Sequence, residues 1–330
     1  MTTNPVFDVA VVGLGAIGMG YDLSLNDKIY THCKAIAAHN GFRLVAGVDS
    51  SPSARHRFES HYHCPSYGDI NELANVSLDA IVLATPTASH FEHLTQILAL
   101  PSAHQPNKLR AIIAEKPLAD NLQHGETIAR MAQQALLLLA INYWRRCEPG
   151  VIQLKAMLNA GKFGHLIRGT VRYQRGLLNN ASHFLDLLIF LFGTPCHYQR
   201  ICSVNSDFYV QWLDSQVVFQ SIDGADYNML ESDLFLSAGV INYQNCGQQI
   251  QFRLLDSQQG LGGLTPLGSP QQITQTDFHR YQYHFYDQLY HALTQSNLTQ
   301  SNKFPSTATT ALESQRIIHS LFEKQSNDHE

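Results

Sequence analysis

The sequence is poor in paired cysteines, basic runs and long apolar stretches. Its six cysteines, at 33, 64, 147, 196, 202 and 246, include no C-x-x-C pair. That pattern argues against a disulfide framework or a zinc ribbon and fits the reduced thiols of a cytoplasmic protein. Lysine and arginine total 22 against 27 aspartates and glutamates, a net charge of -5 with no basic run. A sequence-independent nucleic-acid binder is thereby excluded as a reading. No apolar stretch is long enough to span a bilayer, and "ALLLLAINYW" (135–144) has the length of a strand, so no membrane partner is expected. The opening "MTTNPVFDVAVV" lacks the charged segment and small-residue cleavage site of a secretory signal. Histidine is plentiful at 17, yet neither "HYHC" (61–64) nor "HRYQYHFYDQLYH" (279–291) has a recognised ligand spacing. Those histidines read as surface or packing residues, and no metal is expected.

What is present suits two domains. The 330 residues are 44% hydrophobic and 15% charged, a globular composition too long for one small core. "FDVAVV" (7–12), "FRLVAGVD" (42–49), "LDAIVLAT" (78–85), "RAIIAEKP" (110–117) and "ALLLLAINY" (135–143) are apolar runs of strand length. Helix-like segments alternate with them: "THCKAIAAH", "ASHFEHLTQILAL" and "HGETIARMAQQ". Such alternation gives parallel β-α units with strands buried on both faces. Residues 1–145 are therefore expected to form a Rossmann domain, a doubly wound parallel sheet of the α/β class.

After Pro149 the pattern changes. Two helical runs, "PGVIQLKAMLNAG" and "HFLDLLIFLFG", flank the alternating "HLIRGTVRYQRG", and Gly193 suits a helix C-cap. "FYVQWLD", "SQVVFQSI", "DLFLSAGVINY" and "QQIQFRLL" then follow without helices between them. Residues 146–330 are accordingly expected to be an α+β domain with a large, mostly antiparallel open sheet. A Gly/Pro/Ser/Gln loop (257–273) precedes a last aromatic helix near 277–294, and the tail "KQSNDHE" is expected to fray. A sheet face that no helix in the sequence covers invites pairing, so a homo-oligomer is expected.

The first chemical signal is Gly13-x-Gly15-x-x-Gly18, with a strand before it and a second strand ending in Asp49. That is the context of a dinucleotide fingerprint. Gly13 permits the tight turn, Gly15 the approach of a pyrophosphate, and Gly18 close helix packing, with Ala16 and Ile17 between them at the cofactor. A carboxylate at Asp49 accepts from both ribose hydroxyls and repels a 2'-phosphate, which favours NAD over NADP. The spacing to Asp49 is long, and "YDLSLNDKIY" (21–30) reads as an insertion early in the first helix. "LATPTASH" (83–90) ends the next run with Thr85-Pro86, at the strand edge that faces the ligand crevice; Thr85, Pro86 and His90 are cofactor candidates, with turn punctuation the alternative.

Glu115-Lys116-Pro117 projects from the same edge. The Lys116 ammonium can hold a substrate hydroxyl and stabilise the alkoxide that develops as hydride leaves. Glu115 can pair with it or with the nicotinamide ribose, and Pro117 fixes the turn. A solvated strand end is the other reading. In "GLLNNASHFLDLL" (176–188), Asn179, Asn180 and Ser182 are N-cap types, and His183 stands on the first turn of an apolar helix, three residues before Asp186. A histidine there can serve as general acid/base or simply bond Asp186.

The ordered set "GLGAIG", "TPTASH", "EKPLAD", "NYWRR" and "GLLNNASHFLD" resembles the glucose-fructose oxidoreductase / inositol 2-dehydrogenase / MocA family, strongly over the first ~195 residues and by strand pattern afterwards. The resemblance implies oxidation or reduction of a carbinol carbon of a sugar, polyol or related compound with NAD(P). It matches Lys116 to the family's lysine and His183 to its acid/base histidine. Asn179 falls where many members carry an aspartate; an amide accepts no proton but still bonds a hydroxyl. Arg145 and Arg146, ending "NYWRR", contact substrate or form a structural ion pair, and Asn180 joins the substrate set. Other readings stay open. A transient redox step can enable elimination or glycoside cleavage, and a dinucleotide-gated regulator needs no turnover, as in one member of the family. A metal-binding structural protein is the third.

Overall fold

The structure is a computed structural model that describes residues 4–100, 109–201, 205–256, 261–295 and 304–323. The chain forms two compact units. Unit 1 is Met1–Cys147 with His279–Leu312, and unit 2 is Glu148–Phe278 with the described residues from Glu313 onward. A division into 1–145 and 146–330 therefore misses the return of residues 279–312 to unit 1.

Unit 1 carries six parallel strands: β1 (Phe7–Val12), β2 (Phe42–Val48), β3 (Ser66–Tyr67), β4 (Ala80–Leu83), β5 (Ala111–Ala114) and β6 (Leu138–Ile141). Their order is β3-β2-β1-β4-β5-β6. Every residue of β4, β5 and β6 is buried. Continuous apolar runs such as AIVL and AIIA suit this position, since both faces of a doubly wound sheet are covered. Helices α1 (His32–Ala38), α2 (Pro52–Tyr62), α3 (His90–Ala99) and α4 (Leu122–Gln134) supply the crossovers. Strand order reverses between β1 and β4, whose registers align Val12 with Leu83, so the carboxyl ends of these two strands flank the crevice that such sheets use for ligands. The expected insertion is real, and the helix bridges it. His32 N–H donates to Ile17 (3.2 Å) and Cys33 N–H to Gly18 (3.0 Å), so residues 19–31 loop out between them. Asp22 closes that loop by accepting from the Tyr30 and Thr31 amides and the Thr31 hydroxyl.

The segment that returns to unit 1 closes its edge. Ser306 accepts from the Ile141 amide at 2.9 Å, and Thr307 bridges Ala140. The aromatic helix expected near 277–294 is α7 (Tyr281–Thr294), numbered after two helices of unit 2, and it packs on α1.

Unit 2 begins with α5 (Pro149–Asn159) and β7 (Leu166–Tyr173), followed by α6 (Ser182–Phe192). Seven strands follow: β8 (His197–Arg200), β9 (Phe208–Trp212), β10 (Ser215–Ser221), β11 (Leu230–Leu236), β12 (Gly239–Gln244), β13 (Gln249–Leu254) and β14 (Gln271–Gln272). The sheet order is β14-β13-β12-β11-β7-β10-β9-β8, with only β7 and β10 parallel. "DLFLSAGVINY" is two strands rather than one, because the chain turns at Ser237-Ala238. One face of the sheet packs Val171, Phe219, Leu234 and Ile241 against Phe184 and Leu188 of α6. Gly193 ends α6 with φ +85° and its N–H on Ile189, in the expected C-cap role. A final helix, α8 (Ala308–Glu323), starts in unit 1 and continues into unit 2. The tail 324–330 lies outside the described residues. No helix among the described residues is long and apolar enough to cross a membrane.

Candidate functional site

The turn after β1 is built by its glycines. Gly13 N–H donates to Val48 at 2.8 Å and Ala84 N–H to Val12 at 2.7 Å, which pins the turn between β2 and β4. Gly13 has φ +94°, and a Cβ there would lie 2.7 Å from the Ala84 carbonyl. A Cβ on Gly18 would collide with the Gly13 carbonyl. At Gly15 it would meet no protein atom within 4 Å. Packing thus dictates two of the glycines, while the third leaves its backbone bare toward open space. Ala16 and Ile17 continue the turn, with Ala16 accepting from Tyr21 N–H at 2.9 Å.

Asp49 faces this turn. One carboxylate oxygen accepts from Leu14 N–H and the other from Ser51 N–H, each at 2.8 Å. The carboxylate is therefore fixed in place, with lone pairs left for a ligand. Beside it opens a cavity of about 400 Å³ lined by Gly13, Gly15, Asp49, Thr85 and Pro86. Sequence reasoning missed further lining residues, among them Asp69, Glu92 and His93, and the described lining holds no lysine or arginine. They come from loops and a helix turn whose approach to β1 no local pattern reveals. The His93 imidazole is held below its ordinary value by burial and by His90, against the pull of Glu92 and Asp69. Its Nδ1 lies 3.2 Å from the Thr85 hydroxyl. Arg55 donates to the Asp49 and Ser50 carbonyls.

His90 is a correction. It is fully buried, with Nδ1 3.0 Å from the Pro117 carbonyl and Nε2 3.0 Å from that of Thr85. The ring is enclosed between the Pro117 and Thr85 carbonyls, at the ends of β5 and β4, with no surface exposed to a cofactor. Nothing in the "TPTASH" pattern separates a bracing histidine from a binding one.

Glu115 and Lys116 follow β5, and the Lys116–Pro117 bond is cis. Glu115 accepts from His32 Nε2 (3.0 Å) and Asn142 Nδ2 (2.6 Å). Burial alone would raise its carboxyl, but what His32, Asn142 and Lys116 contribute outweighs that and holds it below the usual range. His32 and Asn142 escaped sequence reasoning, since their partners lie far away along the chain.

Arg145 and Arg146 are both buried. The Arg145 guanidinium stacks 4.3 Å over Trp144, and Arg146 donates to the Pro305 carbonyl.

In unit 2, residues Leu177–Ala181 form a π-turn that leads into α6. The expected N-cap is absent: Ser182 Oγ donates backward, to the Leu178 and Asn179 carbonyls. Asn180 is buried, and its Nδ2 donates to the Asn228 side chain and the Met229 carbonyl. Asn179 is half-buried, and His183 is buried on the first turn of α6 with Asp186 one turn on. Among the described residues no group of three or more His, Cys, Asp or Glu could hold a metal ion.

Comparison with known proteins agrees with this architecture. The inositol 2-dehydrogenases of Mycolicibacterium smegmatis and Mycolicibacterium gilvum are each 27% identical, over 47% and 60% of this chain. The matches span 41% and 56% of those proteins, about half their length. Among solved structures, a putative NADPH-dependent oxidoreductase from Desulfitobacterium hafniense superposes with a TM-score of 0.78 at 13% identity, covering 99% of this chain and 97% of its own. An oxidoreductase from Agrobacterium radiobacter, solved with NAD+, L-tartaric acid and magnesium, gives 0.72 at 16% identity, covering 97% and 96%. These likenesses show the fold. Residues 7–143 match the model of the oxidoreductase family with an NAD-binding Rossmann fold.

Proposed function

We propose that the protein binds NAD at the glycine turn of unit 1 and transfers a hydride between the nicotinamide and a carbinol carbon of a sugar, polyol or sugar derivative. The observation that carries the cofactor assignment is Asp49, clamped by two backbone amides at the mouth of a cavity that Gly15 leaves open. A carboxylate so held accepts from ribose hydroxyls. Asp69 and Glu92 add negative charge on the same wall, and Nη1 of Arg55 donates to main-chain carbonyls. That wall disfavours a 2'-phosphate, which supports NAD over NADP.

The bound nicotinamide supplies the hydride acceptor. Lys116 holds the substrate hydroxyl and stabilises the oxygen as it gains negative charge. His183 takes the hydroxyl proton, and Asn179 bonds a hydroxyl without exchanging a proton. The relatives named inositol 2-dehydrogenases support a polyol as the first substrate to try.

The test is purified protein with NAD+ or NADP+ against inositols, sugars, sugar acids and nucleotide sugars, following reduced cofactor. Lys116→Ala should still bind NADH and lose turnover. A parent that binds neither dinucleotide, or a Lys116 variant as active as the parent, overturns the proposal. Self-association through the open face of the unit 2 sheet belongs to the same reading. Phe235 is 45% exposed there, among Arg168, Arg172 and Gln216. Light scattering at the mass of a monomer would remove it.

A further inference from the structure

Glu115 is the end of a buried chain of side chains that no functional step above uses. Asn142 Nδ2 donates both to Glu115 (2.6 Å) and to Gln282 Oε1 (3.1 Å), which fixes the orientation of the two amides. Gln282 Nε2 must then donate to His32 Nδ1, 3.1 Å away. Tyr286 Oη lies 2.8 Å from the same nitrogen. With Nδ1 accepting, the ring hydrogen sits on Nε2 and points at Glu115, 3.0 Å distant. His32, Gln282 and Tyr286 are fully buried and Asn142 is 2% exposed. His32 and Asn142 both donate to the carboxylate.

Tyr286 and Tyr281 are the other titratable groups facing Glu115, and burial raises both phenols, so they stay neutral. A carboxylate only 13% exposed needs a countercharge, and Lys116, next in the chain, helps to hold it below the usual range. The Lys116 amide also donates to the second Glu115 oxygen at 3.3 Å.

We propose that His32 is a positioning residue: seated on Tyr286 and Gln282, it presents its Nε2–H to Glu115 and fixes a buried carboxylate as the countercharge that keeps Lys116 an ammonium group. The inference rests on Lys116 being the group that meets the substrate oxygen, and it makes that lysine a hydrogen-bonding cation rather than a base. It also makes α7, about 250 residues from His32, part of the apparatus behind the reactive side chain.

The test follows the charge of Lys116 directly, by competitive acetylation of the full-length chain across pH with mapping of the modified lysine. Glu115→Gln should move the onset of Lys116 labelling down by about one pH unit or more, the range expected when a nearby opposite charge is removed. His32→Leu should move it the same way, and His32→Gln, which can return an N–H to the same place, should restore much of it. NADH fluorescence checks that each variant retains the dinucleotide site. In the wild-type chain, ring-nitrogen NMR, assigned with His32→Gln, should show His32 with hydrogen on Nε2. The inference is overturned if Lys116 labels alike in the wild type and Glu115→Gln, if His32→Leu labels as the wild type does, or if the His32 hydrogen sits on Nδ1. A wild type that labels as expected yet turns over no carbinol would defeat the proposed reaction and leave this inference standing.

Discussion

Replacing Asp49 by asparagine is the sharpest test of the cofactor assignment, because the structure constrains what the amide can do. Both carboxylate oxygens accept backbone N–H groups at 2.8 Å, from Leu14 on the glycine turn and Ser51 after β2. Asparagine has one oxygen and one NH₂, so one backbone donor must face another donor. That costs about 1–3 kcal/mol in an unmade hydrogen bond, and it loosens the turn that meets the cofactor. The ribose hydroxyls lose a charged acceptor as well, a hydrogen bond of about 1.5–3 kcal/mol. The two losses share one side chain and do not add in full, so NADH affinity should fall about 10- to 100-fold. NADPH should weaken less, because the same change removes a negative charge facing its 2'-phosphate. Isothermal titration of both cofactors at fixed salt reads the result. Unchanged NADH affinity, or equal loss for the two cofactors, would refute the reasoning.

Gly13→Ala should abolish NADH binding and lower the urea midpoint. Its φ of +94° and a Cβ at 2.7 Å from the Ala84 carbonyl cost more than the ~1–2 kcal/mol of a left-handed alanine alone. A folded variant that binds NADH normally would contradict the geometry of the turn. His39 makes stability depend on pH. Burial, partly opposed by Asp287, holds its imidazole below the ordinary value. The unfolded chain therefore takes up a proton first, and stability should fall as pH drops through about 6.5. His39→Gln should flatten that limb in denaturant titrations between pH 5 and 8, and an unchanged slope would count against the assignment.

Local pattern revealed the parts of the molecule that are local. The glycine spacing, the apolar runs of β4 to β6 and Gly193 at the end of α6 all lie where the sequence placed them. Each answers to neighbours within one turn or one strand. The insertion was legible too, though not its mechanism, since Asp22 folds the loop through bonds that spacing alone does not announce. What the sequence hid is long-range. Tyr286 and Gln282 reach His32 across about 250 residues, and the last aromatic helix packs on α1. His90 shows the converse error. A polar residue beside a binding motif was read as a ligand contact, whereas its ring is fully buried beside the Pro117 and Thr85 carbonyls. Ser182 and its asparagine neighbours misled in the same way, because a π-turn replaced the capped helix start that their residue types suggest.

The central claim is that hydride passes between nicotinamide and a carbinol carbon with Lys116 supporting the oxygen. NADH carrying deuterium at C4 of the nicotinamide, mixed with keto-inositols and keto-sugars, measures that transfer by mass spectrometry of the product. The account predicts label on the carbinol carbon with the wild-type chain and little or none with Lys116→Ala at equal NADH occupancy. Label that remains on the nicotinamide across the whole panel, or that moves equally well in the lysine variant, would contradict it.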